Sequence, residues 1–367
     1  MSRSTETIHV AGAGIGGLAA GVALQQQGVP VVVYDRAVDL APVGAGLSLW
    51  PNAVLALESL GVTGIRGGTI PRGGAGLYRW NGDPLATDAG EAIERRYGAP
   101  LVLLHRAELQ QALLNALVPG TVRLGETVES IAQNEEHVSL RFADGGSDTG
   151  ALLVGADGLR STVRAELFGD EPPRESGLVA YRGIVALDAP ELAGELWGAE
   201  GVFGVAPLSG GRVYWYATQR EGDTRDLQET FGAWAAPVPE ILRRSTDILR
   251  HPLYDRPPAP RWTDGRVALL GDAAHPMLPF LGQGACQAIE DAVALGSAVS
   301  KHGATPDALL AYERARRRRA AMLVKRSRTA GRIAHARSAW KRGLRDALVR
   351  RTPDGARYRQ LDAAIGV

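Results

Sequence analysis

Residues 8–17 read Ile-His-Val-Ala-Gly-Ala-Gly-Ile-Gly-Gly, and no other stretch narrows the possible folds as much. Ile8–Ala11 is a short apolar run bounded by glycine, the signature of a buried parallel strand. Gly12, Gly14 and Gly17 then match G-x-G-x-x-G. In that pattern the first glycine allows a tight turn, the second lets the backbone approach a pyrophosphate, and the third lets helix and strand close up. Leu18, Val22 and Leu24 follow at helical spacing, and Gly28 is suited to the helix end. Val31–Tyr34 is a second β-branched strand, which completes a βαβ unit. Asp35 stands 18 positions after Gly17, where a carboxylate accepts ribose hydroxyls; Arg36 adjoins it. The free N–H groups of the helix start would face the phosphates. In a chain with 46 glycines a chance run is the alternative. The strand, helix and acid around these glycines argue against it. The unit predicts a bound dinucleotide, and alone it does not separate NAD from FAD.

Two further segments bear on that choice. One is Val154-Gly155-Ala156-Asp157-Gly158-Leu159-Arg160-Ser161-Thr162-Val163-Arg164. The other is Val267-Ala268-Leu269-Leu270-Gly271-Asp272-Ala273-Ala274-His275-Pro276, in which Asp272 follows a strand directly and so sits at the carboxyl end of a sheet, where α/β proteins bind ligands. Just beyond comes Met277-Leu278-Pro279-Phe280-Leu281-Gly282-Gln283-Gly284-Ala285, a proline-containing loop and a helix start. Arg106 precedes a helix within Leu104–Leu109, and Gly44–Leu49 leads into Pro51-Asn52-Ala53.

Taken together, in this order and spacing, the segments resemble the FAD-dependent aromatic hydroxylases of the p-hydroxybenzoate hydroxylase type, the group A flavin monooxygenases. The resemblance runs from about Thr7 to about Ala330. It implies an α/β fold: a Rossmann-like FAD-binding domain with an inserted β-sheet substrate domain and C-terminal helices. It implies that Gly12, Gly14, Gly17, Asp35 and Arg36 hold the adenosine diphosphate end of FAD. Arg106 and the Asp157-Gly158 pair would contact FAD, Arg164 would partner the pyrophosphate, and Asp272 would bond the ribityl chain. Pro279 and Gly282, Gln283, Gly284 and Ala285 would lie beside the isoalloxazine, where a helix N-terminus stabilises negative charge. Gly46 and its neighbours would leave room for a moving ring. One departure is Asp35, where the family more often has glutamate; ribose binding is unaffected.

At 367 residues, 45% hydrophobic and 22% charged, the chain suits a globular protein of two structural units. The nucleotide unit is expected over residues 1–70, 100–172 and 262–367, and a β-rich substrate unit over 71–99 and 173–261. A net charge of +1 gives no field that would favour nucleic acid or an anionic membrane. No apolar run reaches the ~18 residues of a membrane span. Cys286 is the only cysteine, which excludes an intramolecular disulfide and suits a reducing cytoplasm. The Arg314–Arg319 run surrounds a helix axis, so its charges are expected to be solvated or paired with acids.

On the substrate side, Tyr214 and Tyr216 share one face of a predicted strand and Trp215 takes the other. If the tyrosine face looks at the flavin, it offers apolar walls with phenolic handles, and Arg182 offers a partner for a carboxylate or phenolate. The bland alternative is a set of core and sheet-surface aromatics. Pro279 occupies the family position whose backbone lies near substrate. The implied reaction is a single-component one. NADPH or NADH reduces FAD, O₂ adds at C4a, and the hydroperoxide passes one oxygen to a small aromatic, heteroaromatic or polyene substrate. Hydroxylation leads; epoxidation, a flavin oxidase or dehydrogenase, and an FAD carrier without turnover are the alternatives. No second G-x-G-x-x-G follows a strand, so no separate NAD(P)H domain is expected, and the chain is expected as a monomer or homodimer.

Overall fold

A computed structural model describes residues 6–40, 46–65, 76–87, 90–188 and 191–366. The N-terminal unit forms as its glycines dictate. Ile8–Ala11 is a fully buried strand, Ile15–Gln25 a helix, and Val31–Asp35 a second strand parallel to the first. A Cβ at Gly17 would strike the Gly12 carbonyl, so helix and turn meet at backbone contact. Gly12 has a φ of 106°, which only glycine adopts without strain.

The sheet around this unit has six strands, in the order Thr263–Asp264, Val267–Leu269, Leu152–Gly155, Ile8–Ala11, Val31–Asp35 and Val122–Leu124. Leu152–Gly155 lies parallel between Ile8–Ala11 and Val267–Leu269. The strands feeding the three glycine-bearing segments are therefore adjacent, and all three segments leave the sheet at the same carboxyl edge. Val122–Leu124 pairs parallel with Val31–Asp35. The helix Arg106–Ala116 precedes it, and such a crossover returns a chain in parallel. Val128–Gln133, Val138–Phe142 and Ser147–Gly150 form a separate antiparallel sheet.

A second sheet has seven strands, in the order Leu249–Asp255, Arg174–Ala186, Arg212–Arg220, Gly201–Leu208, Gly194–Trp197, Gly76–Arg79 and Pro84–Thr87. Strands drawn from residues 76–87 thus join those drawn from 174–255. One face of this sheet packs a core of its own, in which Trp215 stacks on Phe203 at 5.4 Å between ring centres. Gly90–Tyr97 is a helix in a stretch without obvious helical periodicity. Its apolar face is only Ile93 and Tyr97, four apart, packed against Leu361 and Ile365 at the far end of the chain.

The C-terminal third is helical: Gly284–His302, Pro306–Ala334, Ala339–Arg351 and Asp354–Ile365. Between Pro306 and Arg351 the Arg- and Ala-rich chain is broken at residues 335–338. The substrate sheet holds that corner, because Arg220 donates to the His335 carbonyl at 3.0 Å and the His335 ring meets the Thr218 hydroxyl at 3.0 Å. Within the arginine run, Arg316 is buried and paired with Glu290 and Asp291, Arg317 pairs with Glu313, and Arg319 pairs with Glu290. None of the described helices is long and apolar enough to cross a membrane.

Candidate active site

A cavity of about 1850 Å³ opens between the carboxyl edge of the parallel sheet, one face of the seven-stranded sheet and the C-terminal helices. That exceeds the roughly 300–1,000 Å³ of a single small-molecule pocket. Its lining contains Gly14, Gly46, Arg106, Asp272, Pro279, Gly282, Gln283, Gly284 and Ala285 on one side. It contains Arg182, Tyr214 and Tyr216 on the other. Gly12, Gly17, Asp35, Arg36, Asp157 and Arg164, expected to contact the cofactor, are not part of this lining. Gly44 and Ala45 lie outside the described residues.

The first wall suits a dinucleotide. A Cβ at Gly14 would meet nothing within 4 Å, so the backbone is bare where a pyrophosphate would approach. No side chain caps the helix Ile15–Gln25, which leaves its first N–H groups available to an anion. Asp35 sits beside this turn and accepts from the Ala13 N–H at 2.6 Å; Arg36 is exposed. The helix Gly284–His302 likewise starts uncapped at the cavity. Asp272 is exposed to the cavity, and desolvation by the protein around it raises its carboxyl above the ordinary range, against the pull of His275 and Arg106. One uncapped helix start, bare glycine and a lone inward carboxyl at the sheet edge fit the phosphate and polyol parts of FAD.

Asp157 and Arg164 shape this wall from behind. The Asp157 carboxylate accepts from the Val163 N–H at 3.2 Å at the start of the helix Thr162–Phe168, and burial raises it. Arg164 donates to the Ala273 and Ala274 carbonyls at 3.1 and 3.4 Å. It thereby ties the second glycine segment to the turn that carries Asp272. Beneath the loop Pro279–Leu281 and the start of the helix Gly284–His302 runs a buried polar network. The Gln283 side chain accepts from Asn52 at 3.1 Å and from Gln287 at 2.9 Å. Arg316 donates to Glu290 at 2.5 Å, Asp291 at 2.7 Å and the Gln287 side chain at 2.6 Å. His275 meets Asp291 at 2.5 Å within this buried network. Burial alone would raise Asp291, but His275 and Arg316 overcome it and hold the carboxyl at about 2.

The second wall comes from the seven-stranded sheet. Arg182 and Ile184 pair directly with Tyr216 and Tyr214, which places both tyrosines and Arg182 on the cavity face. Trp215 is fully buried on the opposite face, so the alternation read from sequence holds. Burial pushes the Tyr214 phenol up to about 12 and the Tyr216 phenol well above its ordinary value. Gly46 meets this wall: a Cβ there would run into the Tyr214 ring. Sequence reasoning missed Glu195, which lines the cavity and accepts a hydrogen bond from the Tyr216 hydroxyl. It also missed Trp340, Leu344 and Leu348, which line the cavity from the helix Ala339–Arg351. No local signal marks these residues; their place depends on sheet register and on a helix folding back from the chain end.

Comparison with known proteins agrees with this geometry. A family model described as an FAD binding domain matches residues 4–327. An aurachin C monooxygenase/isomerase from Stigmatella aurantiaca is 38% identical, with 94% of each chain covered. An FAD-dependent urate hydroxylase from Klebsiella pneumoniae is 34% identical, over 94% of this chain and 96% of that one. The crystal structure of Klebsiella pneumoniae HpxO complexed with FAD and uric acid superimposes with a TM-score of 0.90 at 30% identity, covering 98% of this chain and 96% of that one. The chain belongs to the family of FAD-dependent aromatic hydroxylases and is an FAD-dependent monooxygenase.

Proposed function

We propose that this monooxygenase is a single-component enzyme that uses NADPH or NADH and O₂ to hydroxylate a small planar aromatic or heteroaromatic compound. The observation that carries the proposal is one cavity lined by the flavin-side residues and by Arg182, Tyr214 and Tyr216 together. Bound FAD supplies the redox chemistry, accepting hydride from NAD(P)H and activating O₂ for transfer of one oxygen atom. The protein positions and shields. The fingerprint turn with Gly12, Gly14 and Gly17, flanked by Asp35 and Arg36, holds the adenosine diphosphate end. Arg106 and Asp272 hold the middle, and Gly46, Pro279 and Gly282–Ala285 border the ring. Asp157 and Arg164 fix the turn that presents Asp272. Arg182 binds an anionic substrate group, and Tyr214 and Tyr216 cover its ring. The FAD unit comprises residues 1–70, 100–172 and 262–367, and the substrate unit 71–99 and 173–261. The urate named for one relative is itself a planar nitrogen heterocycle.

The test is anaerobic flavin bleaching by NADPH and NADH on the FAD-loaded protein, with phenols, N-heteroaromatics and polyenes added in turn. Strong acceleration by an aromatic class, with one atom of ¹⁸O₂ appearing in product, supports the proposal. Fast bleaching without any compound and no ¹⁸O in product would indicate a flavin oxidase or dehydrogenase. Acceleration by polyenes alone would indicate epoxidation.

A further inference from the structure

The helix Ala339–Arg351 is inverted relative to an ordinary surface helix. Its Arg345 and Asp346 are buried, while Trp340, Leu344 and Leu348 are 67%, 53% and 60% exposed. These three stand four residues apart, so they form one stripe along a single face, roughly 12 Å long at 1.5 Å per residue. A globular helix ordinarily buries such a stripe and exposes its charges. Among the described residues none of the three belongs to a packed apolar cluster. All three line the cavity.

The inversion has its cause in the substrate sheet. Arg79 donates to Asp346 at 2.8 Å. Arg345 lies over the Trp197 ring at 5.0 Å, pairs with Asp346 and donates to the Ala334 carbonyl at 2.8 Å. Arg79 and Trp197 are register partners on neighbouring strands, two residues along from the partners Leu77 and Glu195. All four therefore project from one face, on which Leu77, Glu195 and Trp197 line the cavity. The buried ion pair clamps the charged side of the helix onto that face and leaves the apolar stripe to the cavity. A pair of this kind contributes orientation more than stability.

Along the same face polarity falls from one end to the other. Arg182, Tyr216, Gly204, Glu195 and Leu77 stand in register on successive strands, and Leu77 pairs on with Ala86. Six strands about 4.8 Å apart make a row of roughly 24 Å, of which one planar ring covers only a fraction. The Arg182 end offers a charge. At the other end Leu77 and Ala86 line the cavity with the helix stripe, and the nearby Arg79 and Arg345 are engaged by Asp346. A concave apolar wall, continuous with the place where the ring binds, fits a chain on the same molecule. A flat membrane or the convex surface of another protein fits it less well.

We infer that the substrate ring carries an apolar chain, alkyl or alkenyl, which lies between the Trp340–Leu344–Leu348 stripe and the Leu77–Ala86 end of the sheet. The inference rests on the hydroxylase reading above and narrows its substrate class. Arg182, Tyr214 and Tyr216 take the ring, and the stripe takes the chain. The clamp of Arg79, Asp346 and Arg345 is a positioning device that turns the stripe toward it. Affinity then depends on chain length, because each methylene removed from water strengthens binding by up to about fourfold.

The experiment titrates FAD-loaded protein with 4-methyl-, 4-butyl- and 4-octylphenol and with the corresponding 2-alkylbenzimidazoles. Binding is read as perturbation of flavin absorbance, beside the rate of anaerobic bleaching. In wild type Kd is expected to fall about two- to fourfold per added methylene. In the double variant Leu344→Asn/Leu348→Asn most of that gain is expected to disappear, with FAD content and melting temperature as controls for folding. Arg79→Met, which loosens the clamp but leaves the stripe intact, is expected to weaken the octyl compounds more than the methyl ones. A Kd independent of chain length in wild type, or a gain that the double variant leaves whole, overturns the inference. So does a dimer in sedimentation that the double variant dissociates, or binding to phosphatidylglycerol vesicles that it abolishes, since a second copy or a membrane then covers the stripe. Chain-independent Kd with hydroxylated product removes the chain site and leaves the hydroxylase standing. Chain-dependent Kd with no accelerated bleaching and no product from any compound does the reverse.

Discussion

Arg316 offers the sharpest test of how the helix Gly284–His302 is held at the cavity. Its guanidinium is buried and meets Asp291, Glu290 and Gln287. Asp291 is fully buried; its remaining partners are His275 and the Gly271 N–H at 3.2 Å. Arg316→Met keeps most of the side-chain volume and removes the charge. What is left is a buried carboxylate with half of its compensation, and breaking such a pair costs about 3–5 kcal/mol. At roughly 2 °C per kcal/mol for a chain of this size, melting should fall by roughly 6–10 °C.

The pH dependence gives the sign. In wild type Asp291 sits at about 2, against an ordinary 3.8. Taken alone, a carboxyl lowered by this amount contributes roughly 2–3 kcal/mol. That contribution is full above the unfolded value and fades as pH falls through about 2. In Arg316→Met the opposition to burial weakens, so Asp291 rises and charging it becomes a cost that grows with pH. The deficit should therefore be widest near pH 7 and narrow toward pH 4. Urea unfolding of the FAD-loaded protein across that range, followed by fluorescence, measures it. Asp291→Asn on top of Arg316→Met should recover part of the loss, because the uncompensated charge is gone. A deficit below about 1 kcal/mol, or one independent of pH, would refute the account.

Three further outcomes follow from the same packing. Gly14→Val places a side chain where nothing stands within 4 Å, so the protein should fold, by circular dichroism, yet purify without the flavin absorbance near 450 nm. Gly17→Ala drives a methyl into the Gly12 carbonyl and should lose about 3 kcal/mol or more, read as a lower melting temperature even without FAD. Cys286 is buried and its thiol is pushed up to about 12, so a thiol-specific disulfide reagent at pH 8 should titrate no thiol in the native protein and one in urea.

What the sequence exposes is what a short span of chain decides by itself. Gly12, Gly14 and Gly17 act on one turn, and the acid that serves that turn lies one strand away, so spacing suffices. Asp272 was legible for the same reason, because a carboxylate right after a buried strand has one place to go. The alternation of Tyr214, Trp215 and Tyr216 needs only the pleat of a single strand. Glu195 needs more. Its place against the Tyr216 hydroxyl depends on the register of four strands and on an absent side chain at Gly204, and register is set by distant packing and turns. Gly46 shows the limit from the other side. Its smallness was legible as clearance for a moving ring, whereas the group that meets it in the fold is Tyr214, nearly 170 positions later.

That contact also joins the two walls of the cavity. Gly46 begins the strand Gly46–Leu49, which pairs with Val102–His105 and so runs beside Arg106 at the cavity. Tyr214 belongs to the substrate sheet and shares its face with Tyr216 at 5.9 Å between ring centres. Backbone on one side and an aromatic ring on the other therefore touch without an intervening side chain. A shift of the Tyr214 ring has no compressible layer to absorb it, since close-packed interiors transmit displacement. The face of the substrate sheet that carries Tyr214 and Tyr216 and the strand Gly46–Leu49 are thus in mechanical contact through one glycine. A displacement of Tyr216 therefore acts on a ring, Tyr214, that rests directly on that strand.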